Sequence, residues 1–240
     1  MENIISVSDL SFCYDSKRKV LENINFQLKK GESVGLVGAN GVGKSTLLRI
    51  LVGLNTGFQG DVMVNNIPLE KKNLKTIRKN IGYVFQDADS QLFMSTVFDD
   101  VAFAPRNYGM SEAEVNEKTM EALKVVHIEQ LKDKQIYKLS GGEKKLASIA
   151  TILSTEPDVI LMDEPSVALD PKNRRNLINI LNRLNQAKII ASHDLNMIMD
   201  TCERTILLSD GKIIKDGNTK EILLDKELME ESGLELPLGY

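Results

Sequence analysis

Ser33-Val34-Gly35-Leu36-Val37-Gly38-Ala39-Asn40-Gly41-Val42-Gly43-Lys44-Ser45-Thr46 passes from an apolar, strand-like run through a glycine-rich turn into the helix-patterned segment LLRILVGL. From Gly38 to Ser45 it satisfies G-x-x-x-x-G-K-[ST], and it lies where that pattern has a physical meaning, between a strand and a helix. The glycines let successive backbone N–H groups converge on phosphate oxygens without a side-chain clash, and the helix N-terminus adds its partial positive charge. Gly38, Asn40, Gly41, Gly43 and Thr46 are therefore expected to line a phosphate cradle. Lys44 is expected to reach the β and γ phosphates, and Ser45 to offer a hydroxyl ligand to a nucleotide-bound Mg2+. Such a cradle says that a nucleotide binds, but does not choose among kinases, GTPases, motors and transport ATPases.

Upstream of this stretch, IISVSDLSFCY and VLENINFQL read as strands separated by turn residues. Downstream, DVMVNN and IGYVF return to strand character around Asn65-Asn66. Helical patterning dominates from about Ala88 to Ile152, where Ser111 and Glu114 form a capping-box pattern, and this suggests an inserted helical subdomain. Strand and helix then alternate through VILMDE, PKNRRNLINILNRLN, KIIAS, LNMIMDTC and TILLSDGKII, with the last taken as one strand. Alternation of this kind predicts an α/β fold whose parallel sheet is covered by helices. The organisation expected along the chain is residues 1–87 (β subdomain and first part of the core), 88–152 (helical subdomain), 153–217 (second part of the core) and 218–240 (short tail, ending LELPLGY).

The run VILMDE ends in Asp163-Glu164, placing two acids at the carboxyl edge of a buried strand, where ligands of open α/β sheets bind. Asp163 is expected to hold Mg2+ through its water shell, and Glu164 to polarise the water that attacks the γ phosphate. Leu139-Ser140-Gly141-Gly142-Glu143 precedes these acids. Read physically, Ser140 caps a helix from about Gly142 to Leu153, with Glu143 completing a capping box. A helix start of one serine and two glycines also presents free N–H groups, a second anion site that the chain's own cradle does not require.

On these motifs the chain resembles the ATP-binding cassette (ABC) family over nearly its whole length. The resemblance implies an ABC-type P-loop NTPase: a RecA-like mixed or parallel core, an N-terminal antiparallel β subdomain and the helical signature subdomain. It implies an ATP hydrolase in which Ser140, Gly141 and Gly142 close on the γ phosphate held by a second subunit, either another copy or a paralogue. Four more positions match in order. Tyr14 corresponds to the aromatic that stacks on adenine, and Gln86 to the glutamine that touches Mg2+ and the attacking water. Leu169-Asp170 corresponds to the loop that crosses to the partner, and His193 to the switch histidine on the γ phosphate. Ala168 and Leu146 depart from the family pattern, which shows glycine and arginine there.

The segment VFQDADSQLFMSTVFDDVAFAPRNYGM is similar to that of energy-coupling factor (ECF) transporter ATPases, especially the cobalt and nickel type. There it receives coupling helices of a transmembrane subunit, and Asp99 and Asp100 fall where acids meet arginines. LELPLGY and KLSGGEKK point the same way. The resemblance thus implies an importer of a metal ion or a vitamin, with ATP and Mg2+ as cofactors.

Composition agrees with this reading. The chain has 240 residues, a formal charge of -4 and no basic block, so nucleic acid is not an expected partner. No apolar run approaches the ~18 residues of a membrane helix and the N-terminus lacks a signal-peptide layout, so a peripheral place at the cytoplasmic membrane face is expected. Cys13 and Cys202 have no metal or redox spacing and are expected to be buried; His127 is expected to be structural. The competing readings are a non-transport ABC ATPase, which would bring a second cassette or long coiled coils, and a P-loop kinase, which would leave Ser140–Glu143 and His193 without a purpose.

Overall fold

The structure is a computed structural model describing residues 2–15 and 19–239. Two sheets carry the fold. In the first, β1 (Asn3–Cys13), β2 (Lys19–Lys29), β4 (Gln59–Val64) and the short β5 (Ile67–Pro68) pair antiparallel in the order β2-β1-β4-β5. The turn from β4 to β5 is Asn65-Asn66, both with positive φ, a conformation asparagine tolerates well.

The second sheet has six strands, ordered β10-β9-β3-β8-β7-β6. β3 (Ser33–Val37), β6 (Ile81–Val84), β7 (Val159–Asp163), β8 (Ala187–Ala191) and β9 (Arg204–Ser209) are parallel, and β10 (Lys212–Asn218) closes one edge antiparallel. TILLSDGKII is therefore a hairpin and not one strand. Its apolar residues continue across the turn, but Asp210 and Gly211 both take positive φ, the dihedrals of a tight two-residue hairpin turn.

The parallel strands are largely apolar because both of their faces are covered. Successive residues of β7 divide between two cores. Val159 and Leu161 face β1, β2, β4, α1 (Lys44–Leu51) and α2 (Leu74–Asn80), whereas Ile160 and Met162 face the helices on the other side. Lys188 is the exception in β8; it is buried, and its ammonium donates to the carbonyls of Leu184 and Gln186 at 2.6 and 3.0 Å.

Between β6 and β7 stand α3 (Val97–Asn107), α4 (Glu112–Val125) and α5 (Gly141–Leu153). Ser111 and Glu114 form the expected capping box at the start of α4. His127 ends that helix in the left-handed region (φ 59°), a structural place, with its N–H donating to Lys124 O. A Cβ added to Gly82 would lie 1.8 Å from Ile152, so glycine is what lets α5 lie directly on β6. After β7 come α6 (Pro171–Arg183), α7 (Leu195–Thr201), α8 (Thr219–Leu223) and α9 (Lys226–Glu231). Among the described residues no helix is long and apolar enough to cross a membrane. Cys202 is buried, but Cys13 is exposed: at the last residue of β1 the strand alternation turns Phe12 inward and Cys13 outward.

Candidate functional site

Four neighbouring parallel strands deliver their carboxyl ends to one edge of the sheet, where ligands of open α/β sheets bind. β3 leads into residues 38–43, β6 into Gln86, β7 into Asp163-Glu164 and β8 into His193. An open cleft of about 1500 Å3 lies there, lined among others by Tyr14, Asn40, Gly41, Gly43, Lys44, Ser45, Thr46, Gln86, Glu164 and His193.

The turn of residues 38–43 is glycine-dependent. Gly41 and Gly43 have φ of 80° and 110°, and a Cβ on Gly43 would meet Leu21 at 2.7 Å. Gly43 caps α1 without any side-chain hydrogen bond, and no acid stands in the first turn. The backbone donors at this helix end have no internal anion, so they suit a phosphate. Lys44 is buried; its ammonium bends back to donate to Gly38 O at 2.6 Å and Ala39 O at 3.2 Å. Burial lowers its pKa, and the nearby Glu164 and Asp163 charges oppose that shift.

Asp163 is 1% exposed and receives two hydroxyls: Ser45 Oγ donates to Oδ1 at 2.8 Å and Tyr83 Oη to Oδ2 at 3.1 Å. The tyrosine's own pKa is pushed up, first by its burial and then by the Asp163 charge. A hydroxyl and a carboxylate in contact at the mouth of the phosphate turn are oxygen donors of the type Mg2+ takes, so the residues fit that ion. Glu164 is buried beside Asp163 with φ 47°, its N–H donating to Ala191 O at 2.8 Å. Its Oε2 accepts the backbone N–H of His193 at 3.1 Å and lies 2.7 Å from His193 Nδ1. The imidazole itself stays mostly exposed toward the cleft.

Tyr14 is 61% exposed, packs edge-on against Phe12, and shares its hydroxyl with Thr46 and with the Asn55 amide, each at 3.1 Å. One ring face is thus available beside the phosphate turn. Gln86 borders both this cleft and a smaller one of about 440 Å3 that also touches Gly141 and Ala168.

Ser140, Gly141 and Gly142 do not line the nucleotide-sized cleft. Ser140 caps α5 as expected: its N–H donates to Glu143 at 2.7 Å and its Oγ accepts from Glu143 N at 3.3 Å. Lys134 sits on the Glu143 carboxylate at 3.0 Å. Gly142 abuts Asn173, because a Cβ there would stand 2.5 Å from that amide. Asp170 is the N-cap of α6 and accepts from Asn173 N at 2.9 Å. Ala168 takes φ 63°, so the chain adopts the left-handed turn despite its side chain. Leu146, the other departure, is buried in the helical core.

The two acids of the segment after Gln86 have different environments. Asp100 is buried, accepting the backbone N–H groups of Phe93 and Met94 at 3.2 Å each. Its carboxyl is pushed up by burial, against those two bonds. Asp99 is half-exposed, accepts from Thr96 Oγ1 at 2.7 Å and lies 3.5 Å from Arg106. The adjacent exposed pair Phe93 and Phe103 stack edge to face at 4.8 Å.

Some groups at this edge escape a reading of the sequence. Tyr83 was only a strand residue there, although its place two residues before Phe85-Gln86 at the end of an apolar run was a signal. Arg174 and Asp194, both lining the cleft, form a two-point ion pair. Lys145, buried on α5, donates to Phe85 O at 3.0 Å and Gln86 O at 2.7 Å.

Comparison with known proteins bears on the whole chain. A model of the ABC transporter family matches residues 21–167. A Geobacter sulfurreducens protein named as an ABC transporter ATP-binding protein is 47% identical over 237 residues, covering 99% of this chain and 95% of that protein. The energy-coupling factor transporter ATP-binding protein EcfA of Methanocaldococcus jannaschii is 41% identical over 239 residues, covering 98% and 86%. Among solved structures, cbiO1 of Clostridium perfringens, described as part of the ABC transporter complex cbiONQ, superposes with a TM-score of 0.86 at 35% identity, covering 96% of this chain and 94% of that one.

Proposed function

Since this chain belongs to the ABC transporter family as a subunit that binds and hydrolyses ATP to drive transport, we propose that it is the ATPase of an ECF-type importer for a metal ion such as cobalt or nickel, or for a vitamin. Its likeness to EcfA and to cbiO1 supports that class. ATPases of this family dimerise and partner with transmembrane subunits. The observation that carries a two-subunit reading here is that Ser140, Gly141 and Gly142 stand outside the cleft that the phosphate turn lines.

In the proposed mechanism the amides of residues 38–43 and Lys44 hold the phosphates, and Tyr14 covers the adenine. Ser45, Gln86 and, through water, Asp163 would hold Mg2+, which when bound would neutralise charge on the phosphate oxygens. Glu164 orients and polarises the attacking water, with His193 placed by its contact with Glu164 to hydrogen-bond the γ phosphate. Gly141 and Gly142 amides of a second cassette, either a copy or a paralogue, close on that phosphate from outside. Asp170 on the crossing loop meets the partner as well. ATP thus closes the pair, and phosphate release reopens it, moving the attached membrane helices at the cytoplasmic face.

The membrane subunit would bind along the segment after Gln86. Asp99 and the Phe93–Phe103 pair offer it an acid and an apolar surface, while Asp100 shapes the loop from inside. The test is copurification from native membranes, with identification of the bound integral proteins. Separate transmembrane subunits of an importer are expected; recovery of an exporter-type membrane half alone overturns the ECF reading. Asp99→Lys should release the membrane partner with ATP binding intact, and unchanged copurification would remove this segment from the interface.

A further inference from the structure

Arg174 and Asp194 join the start of the helix that follows the Leu169-Asp170 loop to the residue that follows His193. Arg174 lies in the first turns of α6, and its N–H donates to the Asp170 carbonyl at 2.9 Å, so it is tied to the loop Leu169-Asp170. Asp194 directly follows His193 and caps α7, accepting from Met197 N at 3.0 Å. Arg174 Nε and Nη2 donate to the two oxygens of Asp194 at 2.5 and 2.7 Å. A planar fork on a carboxylate fixes orientation as well as distance.

This contact is not what holds the two helices together. Leu177, Ile178 and Leu181 of α6 and Met197 and Ile198 of α7 already share one apolar core. Partly exposed ion pairs add little to stability on average. The pair instead sets the relation of the helices at their N-terminal ends, where one carries the crossing loop and the other carries His193. Burial pushes the Asp194 carboxyl up, but the hydrogen bonds and charge of Arg174, with help from Met197 N–H and Ser166, leave it below its ordinary value. Asp194 is thereby kept ionised as the acceptor of the fork.

We propose that Arg174 and Asp194 are a positioning pair that holds His193 in register with the Leu169-Asp170 loop, so that seating a second cassette on that loop aligns the histidine of the same subunit. The proposal rests on the dimeric ATPase reading above. It assigns to these two side chains no contact with the reacting atoms; they act through His193.

The test compares Arg174→Ala and Arg174→Lys in the full chain, alone and in a His193→Ala background. The readouts are single-turnover phosphate release, nucleotide affinity and Tm. Arg174→Ala is expected to slow phosphate release about 10- to 100-fold, the scale of a small misplacement of a group at the chemistry. Nucleotide affinity is expected to stay within about twofold, since phosphate binding rests on Lys44 and the turn. Arg174→Lys keeps the charge but not the two-point fork, so it should recover only part of the rate. In the His193→Ala background, Arg174→Ala should cost nothing further. Additive losses in that background, or rate and affinity falling together with Tm in both Arg174 variants, would overturn the pair's positioning role. So would an unchanged rate. An absence of ATP-dependent phosphate release in the unsubstituted chain would overturn the site reading instead, and is told apart because no variant is then needed to see it.

Discussion

Two helices of this protein start at glycines, α1 from its cap Gly43 and α5 from its first residue Gly141, and they treat their free N–H groups differently. At α1 the cap is Gly43, with no side-chain cap hydrogen bond and no acid in the helix's own first turn, so the backbone donors are open to an outside anion. At α5 the Ser140–Glu143 capping box occupies two donors, and Lys134 offsets the carboxylate that would otherwise repel a phosphate. The first end can build an anion site by itself. The second is already rigid and partly satisfied, leaving the amides of Gly141 and Gly142 to complete a site made elsewhere. The first end lines the cleft and the second stands outside it.

The strongest attempt to break this comparison is Glu164→Gln. Loss of the general base is expected to slow phosphate release ~100- to 10,000-fold with nucleotide affinity preserved. ATP-dependent dimers should then accumulate on gel filtration, and combining the change with Ser140→Ala should weaken them. Normal phosphate release by Glu164→Gln would remove the assigned role. Lys44→Ala is next: it removes a charged donor from the first helix end and should weaken nucleotide binding by the isolated chain roughly 10- to 100-fold in a fluorescent-analogue titration. Ser140→Ala alone should leave that titration unchanged, because α5 is not part of the chain's own cradle. Its lost cap should cost about 1 kcal/mol, or ~2–4 °C in Tm; a parallel loss of monomer affinity would erase the distinction between the two ends.

Smaller effects sharpen the picture. Ala168→Gly relieves a left-handed residue in the turn facing Gly141 and should raise Tm slightly, by no more than ~3 °C, with little change in nucleotide binding. The Glu143 carboxyl is held below its ordinary value, chiefly by the Ser140 N–H, against the opposing effect of burial and with further help from Lys134. Its contribution is therefore present above the ordinary carboxylate value and lost as pH falls through the lowered one. The Tm difference between the unsubstituted chain and Glu143→Gln should shrink between about pH 7 and about pH 3. A difference independent of pH would mean that the carboxylate is not what holds the cap.

Features held by contacts a few residues apart were readable along the chain. The phosphate turn and the Ser111–Glu114 and Ser140–Glu143 boxes are of this kind, because backbone dihedrals and capping bonds close within one helical turn. The hairpin at Asp210-Gly211 was also written in its turn residues, but the apolar run across it masked the break. Asp99 and Asp100, by contrast, look alike in sequence. One is half-exposed and the other buried, because the loop at Phe93-Met94 folds back to place two N–H groups over Asp100. Cys13 is exposed while its neighbour Phe12 is buried, as side chains on successive strand residues point to opposite faces.

Residue order alone determines the chemistry this chain can present: a cradle of free amides with a lysine, two acids closing an apolar strand, and a capped glycine helix start. It could not determine which of those groups meet. Ser45 reaches Asp163, 118 positions away, and Arg174 reaches Asp194, because the order β9-β3-β8-β7-β6 gathers distant strand ends at one edge. The same packing leaves Ser140 to Gly142 outside the cleft. Local bonds follow from neighbours in the chain; such meetings follow from sheet order, which depends on burying both faces of the parallel strands at once.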